Sequence, residues 1–227
     1  YTFPAKRITI NLAPADIKKE GSAYDLPMAI GILAAEGSVD KNLVNDYFLI
    51  GELSLDGAIK PVRGALPIAM AAKRERVRGL ILPKHNAPEA AVVSEVEVLG
   101  VSDLPEVVEF LNGHRSIERT HVNLEALFRQ QSQYSSDFTD VKGQQHVKPA
   151  LEVAAAGGHN VIMVGPPGSG KTMLANKLPT ILPDLTLAEA LETTKIHSVM
   201  GLLNGSPIIA TRPFRYPHHT ISDAGLV

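Results

Sequence analysis

The sequence predicts an α/β protein: a layered domain of alternating strands and helices, then the opening strand, loop and helix of a second domain. Three observations predict it. Strand-length apolar segments alternate with helix-length segments over residues 1–113. A polar stretch at 114–136 interrupts that alternation. Beyond it, Gly165-Pro166-Pro167-Gly168-Ser169-Gly170-Lys171-Thr172 fits the phosphate-binding pattern G-x-x-x-x-G-K-[ST] without mismatch.

The first domain is read in chain order. Arg7 to Leu12 alternates polar and apolar residues, which predicts a half-exposed strand. Asp25 to Ala35 has an Asp cap, an early proline and an apolar face, hence a helix that Gly37 ends. Tyr47 to Leu55 and Ala58 to Val62 flank Asp56-Gly57, a hairpin signal. Leu66 to Lys73 is helical and Gly79 to Pro83 a buried strand. Ala87 to Ser94 reads as a short helix, Val96 to Val101 as a strand and Leu104 to Leu111 as a last helix.

Residues 114–136 carry Arg115, Arg119 and the run Arg129-Gln130-Gln131-Ser132-Gln133, with isolated apolar residues. They read as a linker with a short helix at Leu124 to Phe128. The second domain, 137–227, opens at Asp137. A helix from His146 to Ala156 stops at Gly157-Gly158. Asn160 to Val164 is apolar between polar ends and predicts a buried parallel strand. Thr172 to Leu178 starts a helix.

Strand, glycine-rich loop and helix start together make an anion site. Glycines let the backbone approach phosphates, and free N–H groups and the helix dipole point at them. The nucleotide-binding candidates are Gly165, Pro166, Pro167, Gly168, Ser169, Gly170, Lys171, Thr172 and Met173. Lys171 reaches the β- and γ-phosphates, and the Thr172 hydroxyl holds Mg²⁺. The expected cofactors are therefore ATP and Mg²⁺.

Composition narrows the classes. The chain has 227 residues, a net charge of −2, 44% hydrophobic and 20% charged residues. That describes a soluble globular chain without bulk attraction to nucleic acid or anionic membranes. With no cysteine, disulfides, thiolate catalysis and cysteine-ligated zinc are excluded. A reducing, cytoplasmic setting fits, and no apolar run is long enough for a bilayer. The chain starts at Tyr1 rather than Met, so a fragment of a longer protein is expected.

The first domain resembles the proteolytic domain of Lon proteases. The resemblance rests on Lys19-Glu20-Gly21-Ser22-Ala23, on Gly51 to Gly64, and on Leu80-Ile81-Leu82-Pro83-Lys84-His85-Asn86. Lon proteases use a Ser–Lys dyad in which the lysine activates the serine. On this resemblance the serine position falls on Ala23, with Ser22 one residue early, and the lysine position on Leu66. Lys60 and Lys73 are the nearest alternatives and match neither. The resemblance implies an inactive scaffold or interaction module, with no catalytic residue.

The whole chain resembles the magnesium-chelatase-like ATPases of the YifB and ComM branch. Phe3 to Asp16, Gly158-His159-Asn160, Ile196-His197-Ser198 and Arg212 to Thr220 carry that resemblance. It implies a Lon-protease-like domain followed by a truncated P-loop AAA+ domain, ATP use, and a homo-hexamer when full-length. It also implies DNA branch migration in recombination and competence. Phe138 to Gln144 resembles an adenine-pocket segment, making Val141 and Gly143 weaker site candidates. A chelatase-type or protein-remodelling ATPase is the alternative.

No apolar strand ending in Asp-Glu follows Thr172. Asp184, Glu189 and Glu192 fall in a loop and helix. The chain alone is therefore expected to bind nucleotide without hydrolysing it, and residues after about 180 are expected to be poorly ordered. His218-His219 is not expected to ligate metal, because neighbours on a strand face opposite ways. Arg212 and Arg215 read as solvated strand-end charges ahead of phosphate binders. Lys73 to Arg78 reads as a solvated helix C-terminus.

Overall fold

The computed structural model describes residues 5, 7–11, 21–134 and 136–217. Contacts divide the chain into two units. The first comprises the described residues of 1–124 with 192–208, and the second those of 125–191 with 209–217.

The first unit is built on a parallel three-stranded sheet of order β1-β4-β5, with β1 Tyr47–Leu49, β4 Gly79–Pro83 and β5 Glu97–Val101. Tyr47 pairs with Gly79, and Gly79 in turn with Glu97. Every residue of β4 is buried, as a central parallel strand requires. Successive side chains of a strand face opposite ways, and here each face has its own core. Ile81 and Leu99 pack with α1 (Asp25–Glu36) and α5 (Leu104–Leu111). Leu80, Leu82 and Val98 pack with α3 (Ala65–Arg74) and α4 (Ala87–Ala90). The result is an α/β/α sandwich. Gly79 has no alternative, because a Cβ there would stand 2.4 Å from the Glu97 carbonyl oxygen.

Several boundaries differ from expectation. The run Tyr47 to Leu55 divides at Ile50-Gly51. Its first part joins the parallel sheet, while β2 (Glu52–Leu53) pairs antiparallel with β3 (Ile59–Lys60). The Asp56-Gly57 turn between them is closed by a Gly57 N–H to Ser54 carbonyl bond of 2.9 Å. Asp25 is the first residue of α1 rather than its cap, and its carboxylate accepts the Leu53 N–H at 3.3 Å. Helix α4 stops at Ala90. A four-residue helix, α2 (Lys41–Val44), precedes β1 and is capped by the Asp40 carboxylate on the Asn42 N–H. Arg7–Asn11 forms no strand: these residues are exposed, and no ladder pairs them among the described residues. Leu12 lies outside the described residues.

All of α6 (Leu124–Gln131) but its first residue belongs to the second unit; it runs three residues beyond its expected end and buries no side chain. Helix α7 (Val147–Gly157) ends on Gly158 in the left-handed region at φ 62°. Helix α8 (Lys171–Lys177) continues into a 3-10 turn, Leu178–Ile181. Phe138, Val141, Leu151 and Leu174 form the core. Helix α9 (Leu187–Met200) follows, so part of the region expected to lack order is helical. The boundary between units falls inside α9, between Leu191 and Glu192. Among the described residues no helix is long and apolar enough to cross a membrane.

Candidate phosphate-binding loop

Asn160 to Val164, read above as a buried parallel strand, is neither paired nor buried. Val161 is 44% exposed, Ile162 88% and Val164 91%. A strand is defined by its partners, and among the described residues none lies beside this run. Only Met163 reaches the core of the unit.

The loop itself is ordered by its own polar groups. Lys171 turns its ammonium back over the loop and donates to the carbonyls of Gly165 and Pro166, both at 2.8 Å, and to Ser169 Oγ at 3.1 Å. The Ser169 N–H donates to the Pro166 carbonyl at 3.3 Å. Gly168 and Gly170 take φ of 80° and 82°, in the left-handed region where a side chain is strained. Gly165, Pro166, Pro167 and Gly168 are exposed, Ser169 and Gly170 half-buried. Thr172 is exposed on the first turn of α8 and makes no side-chain hydrogen bond among the described residues. Met173 is 44% exposed, and its Cε lies 3.6 Å from where a Cβ on Gly170 would stand.

The segment before α7 is tied to this loop by groups the sequence reading did not single out. Asp137 and Asp140 form a reciprocal capping box around Phe138–Asp140. The Asp140 carboxylate takes the Lys177 ammonium of α8 at 2.7 Å, which holds its pKa below the ordinary carboxylate value. Asp137 is lowered too, first by the Thr139 hydroxyl and then by the Thr139 N–H. The Lys148 ammonium donates to the Val141 carbonyl. Gln144 Nε2 donates to the Ser169 carbonyl at 3.1 Å. Val141 is buried in the core rather than open to a ligand, and Gly143 stands at φ 70°. The Asp137-x-x-Asp140 box announces the turn in the sequence, but not the contact that Gln144 makes.

The later acidic residues are otherwise engaged. Glu189 accepts the Thr186 N–H at 2.8 Å and its hydroxyl at 2.9 Å, and so caps α9. Glu192 holds Lys195 at 2.8 Å, and Asp184 stands in the loop before α9. No group of three His, Cys, Asp or Glu suited to a metal exists among the described residues. Arg212 is not a strand-end charge: its guanidinium donates to the Pro183 carbonyl at 2.7 Å and lies 3.8 Å from Glu189. Arg215 is exposed, and His218 and His219 lie outside the described residues. In the basic run, Lys73 pairs with Glu95, Arg74 with Glu75 and Arg78 with Glu97.

At the positions matched to the Lon dyad, Ala23 follows Ser22 in a 3-10 turn, and the Ser22 hydroxyl donates to Glu52. Leu66 is fully buried, and its N–H donates to Glu89 at 2.9 Å. Lys60 is exposed on β3.

The architecture defines the class first, an α/β protein with a parallel sheet and a glycine-rich loop running into a helix. Residues 137–227 match the family described as magnesium chelatase, subunit ChlI, and residues 1–86 match subunit ChlI of Mg-chelatase. Competence protein ComM of Haemophilus influenzae is 43% identical over 228 residues, covering all of this chain and 45% of that protein. YifB of Escherichia coli is 43% identical over 227 residues, covering all of this chain and 44% of that protein. Lon protease 2 of Bacillus subtilis is 29% identical over 99 residues, which is 42% of this chain and 17% of that protein. The chain belongs to the magnesium-chelatase ChlI-like family, in the branch of ComM and YifB, and spans less than half the length of those relatives.

Proposed function

We propose that this chain is the ATP-binding part of an AAA+ motor of the ComM type, cytoplasmic and hexameric at the relatives' full length. We propose further that such a protein drives branch migration of DNA in recombination. The observation that carries the nucleotide reading is the loop held by Lys171 over its own carbonyls. An ammonium already seated over the loop needs only to exchange the Gly165 and Pro166 oxygens for phosphate oxygens. Gly168 and Gly170 let the backbone close around the phosphates, and the exposed Thr172 hydroxyl offers one oxygen ligand to Mg²⁺. When bound, Mg²⁺ neutralises charge on the phosphates. A single hydroxyl ligand, with no cluster of three acidic or imidazole ligands among the described residues, leaves the other positions of a magnesium ion to phosphate and water, which is how this ion commonly binds beside a nucleotide.

This chain alone is expected to bind without turnover, since Glu189 and Glu192 are committed to Thr186 and Lys195. The first unit is proposed as an interaction module rather than a peptidase, because Leu66 replaces the lysine of the dyad and is buried. A second reading, a chelatase-type or protein-remodelling ATPase, is favoured by the match of residues 137–227 to magnesium chelatase. The test uses a protein of the relatives' full length. ATP-dependent movement of a four-way DNA junction, lost in Lys171→Ala, supports the DNA motor. An ATPase that ignores junctions but responds to an unfolded protein or a porphyrin supports the second reading.

A further inference from the structure

Gln144 is one of three non-glycine residues with positive φ among the described residues, at 59°, and it follows Gly143 at 70°. Holding a glutamine there costs on the order of 1 kcal/mol, and such strain marks a position worth a functional hypothesis. From that conformation its side chain donates from Nε2 to the Ser169 carbonyl at 3.1 Å. Ser169 is then engaged through all its polar groups: its N–H by Pro166, its hydroxyl by Lys171 and its carbonyl by Gln144.

The consequence follows from peptide geometry. In a trans peptide the C=O and the next N–H point opposite ways. Anchoring the Ser169 oxygen on Gln144 therefore turns the Gly170 N–H away from Gln144. Gly170 has the left-handed φ that only glycine takes without strain, so nothing in its own side chain fixes the direction of that peptide. The anchor comes from outside the loop, through Gln144.

We propose that Gln144 is a positioning residue for phosphate binding, which aims the Gly170 amide by fixing the Ser169 carbonyl. The proposal rests on the nucleotide reading above. Its ligand chemistry is the polyphosphate chain and not the base.

Gln144→Gly separates this role from a structural one, because glycine suits the left-handed backbone. Melting temperature should be unchanged or slightly raised, while affinity falls. Affinities are measured on the 227-residue chain by displacement of a fluorescent ATP analogue with MgATP and with magnesium tripolyphosphate. Both should weaken by about three- to tenfold, the value of one hydrogen bond. Gln144→Asn, which tolerates the backbone but is too short, should behave the same way. Unchanged tripolyphosphate affinity in both variants, with Lys171→Ala inactive, would overturn the role of Gln144 and leave the nucleotide reading standing. A loss on MgATP without a loss on tripolyphosphate would also overturn it, since Gln144 would then be serving the base. If the unaltered chain binds neither probe, the nucleotide reading fails and takes this inference with it.

Discussion

Two apolar runs look alike in sequence and differ in the folded chain. Gly79–Pro83 and Asn160–Val164 are both five residues, largely apolar and bounded by polar or turn residues. The first is the centre strand of the sheet, wholly buried between β1 and β5. The second has no strand partner among the described residues, with Ile162 at 88% exposure. Local composition is equal to both outcomes. What differs is the supply of neighbours: β4 has a parallel strand on each side and helices above and below, while 160–164 has no strand beside it among the described residues. Pairing is a tertiary property, and an apolar run is only permission for it.

The largest contrast should come from placing a charge in each run. Leu80→Asp puts an unpaired carboxylate in a fully buried position and should cost more than about 4 kcal/mol in chemical denaturation, enough to unfold the first unit. Ile162→Asp should stay within about 0.5 kcal/mol. A large loss from Ile162→Asp would mean that this run is covered in solution, and the comparison would break.

The two units also answer pH at opposite ends. Tyr47, on β1, has its pKa pushed up to about 12, chiefly by burial and then by its hydrogen bond to Glu97. Its protonated form is the one the fold keeps. That stability is fully present below the ordinary tyrosine value of 10 and is lost as pH rises from there through 12. The loss should approach about 2 kcal/mol, and Tyr47→Phe should remove it from an alkaline unfolding series.

A cut of about 2 kcal/mol is expected from Glu89→Ala, which leaves the Leu66 N–H and the buried Ser198 hydroxyl without their acceptor. The smallest effect belongs to the second unit. Asp140 is lowered by Lys177, so its contribution is present above the ordinary value of 3.8 and is lost as pH falls through the lowered one. Asp140→Asn should flatten the acid limb of a melting curve there and leave the alkaline limb as it was.

Much of the first unit was legible because its signals are local. Gly37 ends α1 in the left-handed region, the Asp56-Gly57 turn closes the hairpin, and β4 reads as a solid apolar run. The misreadings share one cause. Arg7–Asn11 and Asn160–Val164 carry strand periodicity or strand composition, but a strand needs a ladder, and among the described residues no ladder pairs either segment. Tyr47 to Leu55 has strand composition throughout, and nothing in it announces that Ile50-Gly51 passes from one sheet to another. At the loop, the glycines, Lys171 and Thr172 were evident from spacing. Gln144 was not, because its role depends on a left-handed backbone that a glutamine does not advertise.

The central claim is that the loop from Gly165 to Thr172 is a triphosphate site. The direct measurement is a titration of this chain with a fluorescent ATP analogue and Mg²⁺, beside Lys171→Ala. Saturable binding that the substitution abolishes is the predicted result. Equal binding by both, or by neither, would contradict it.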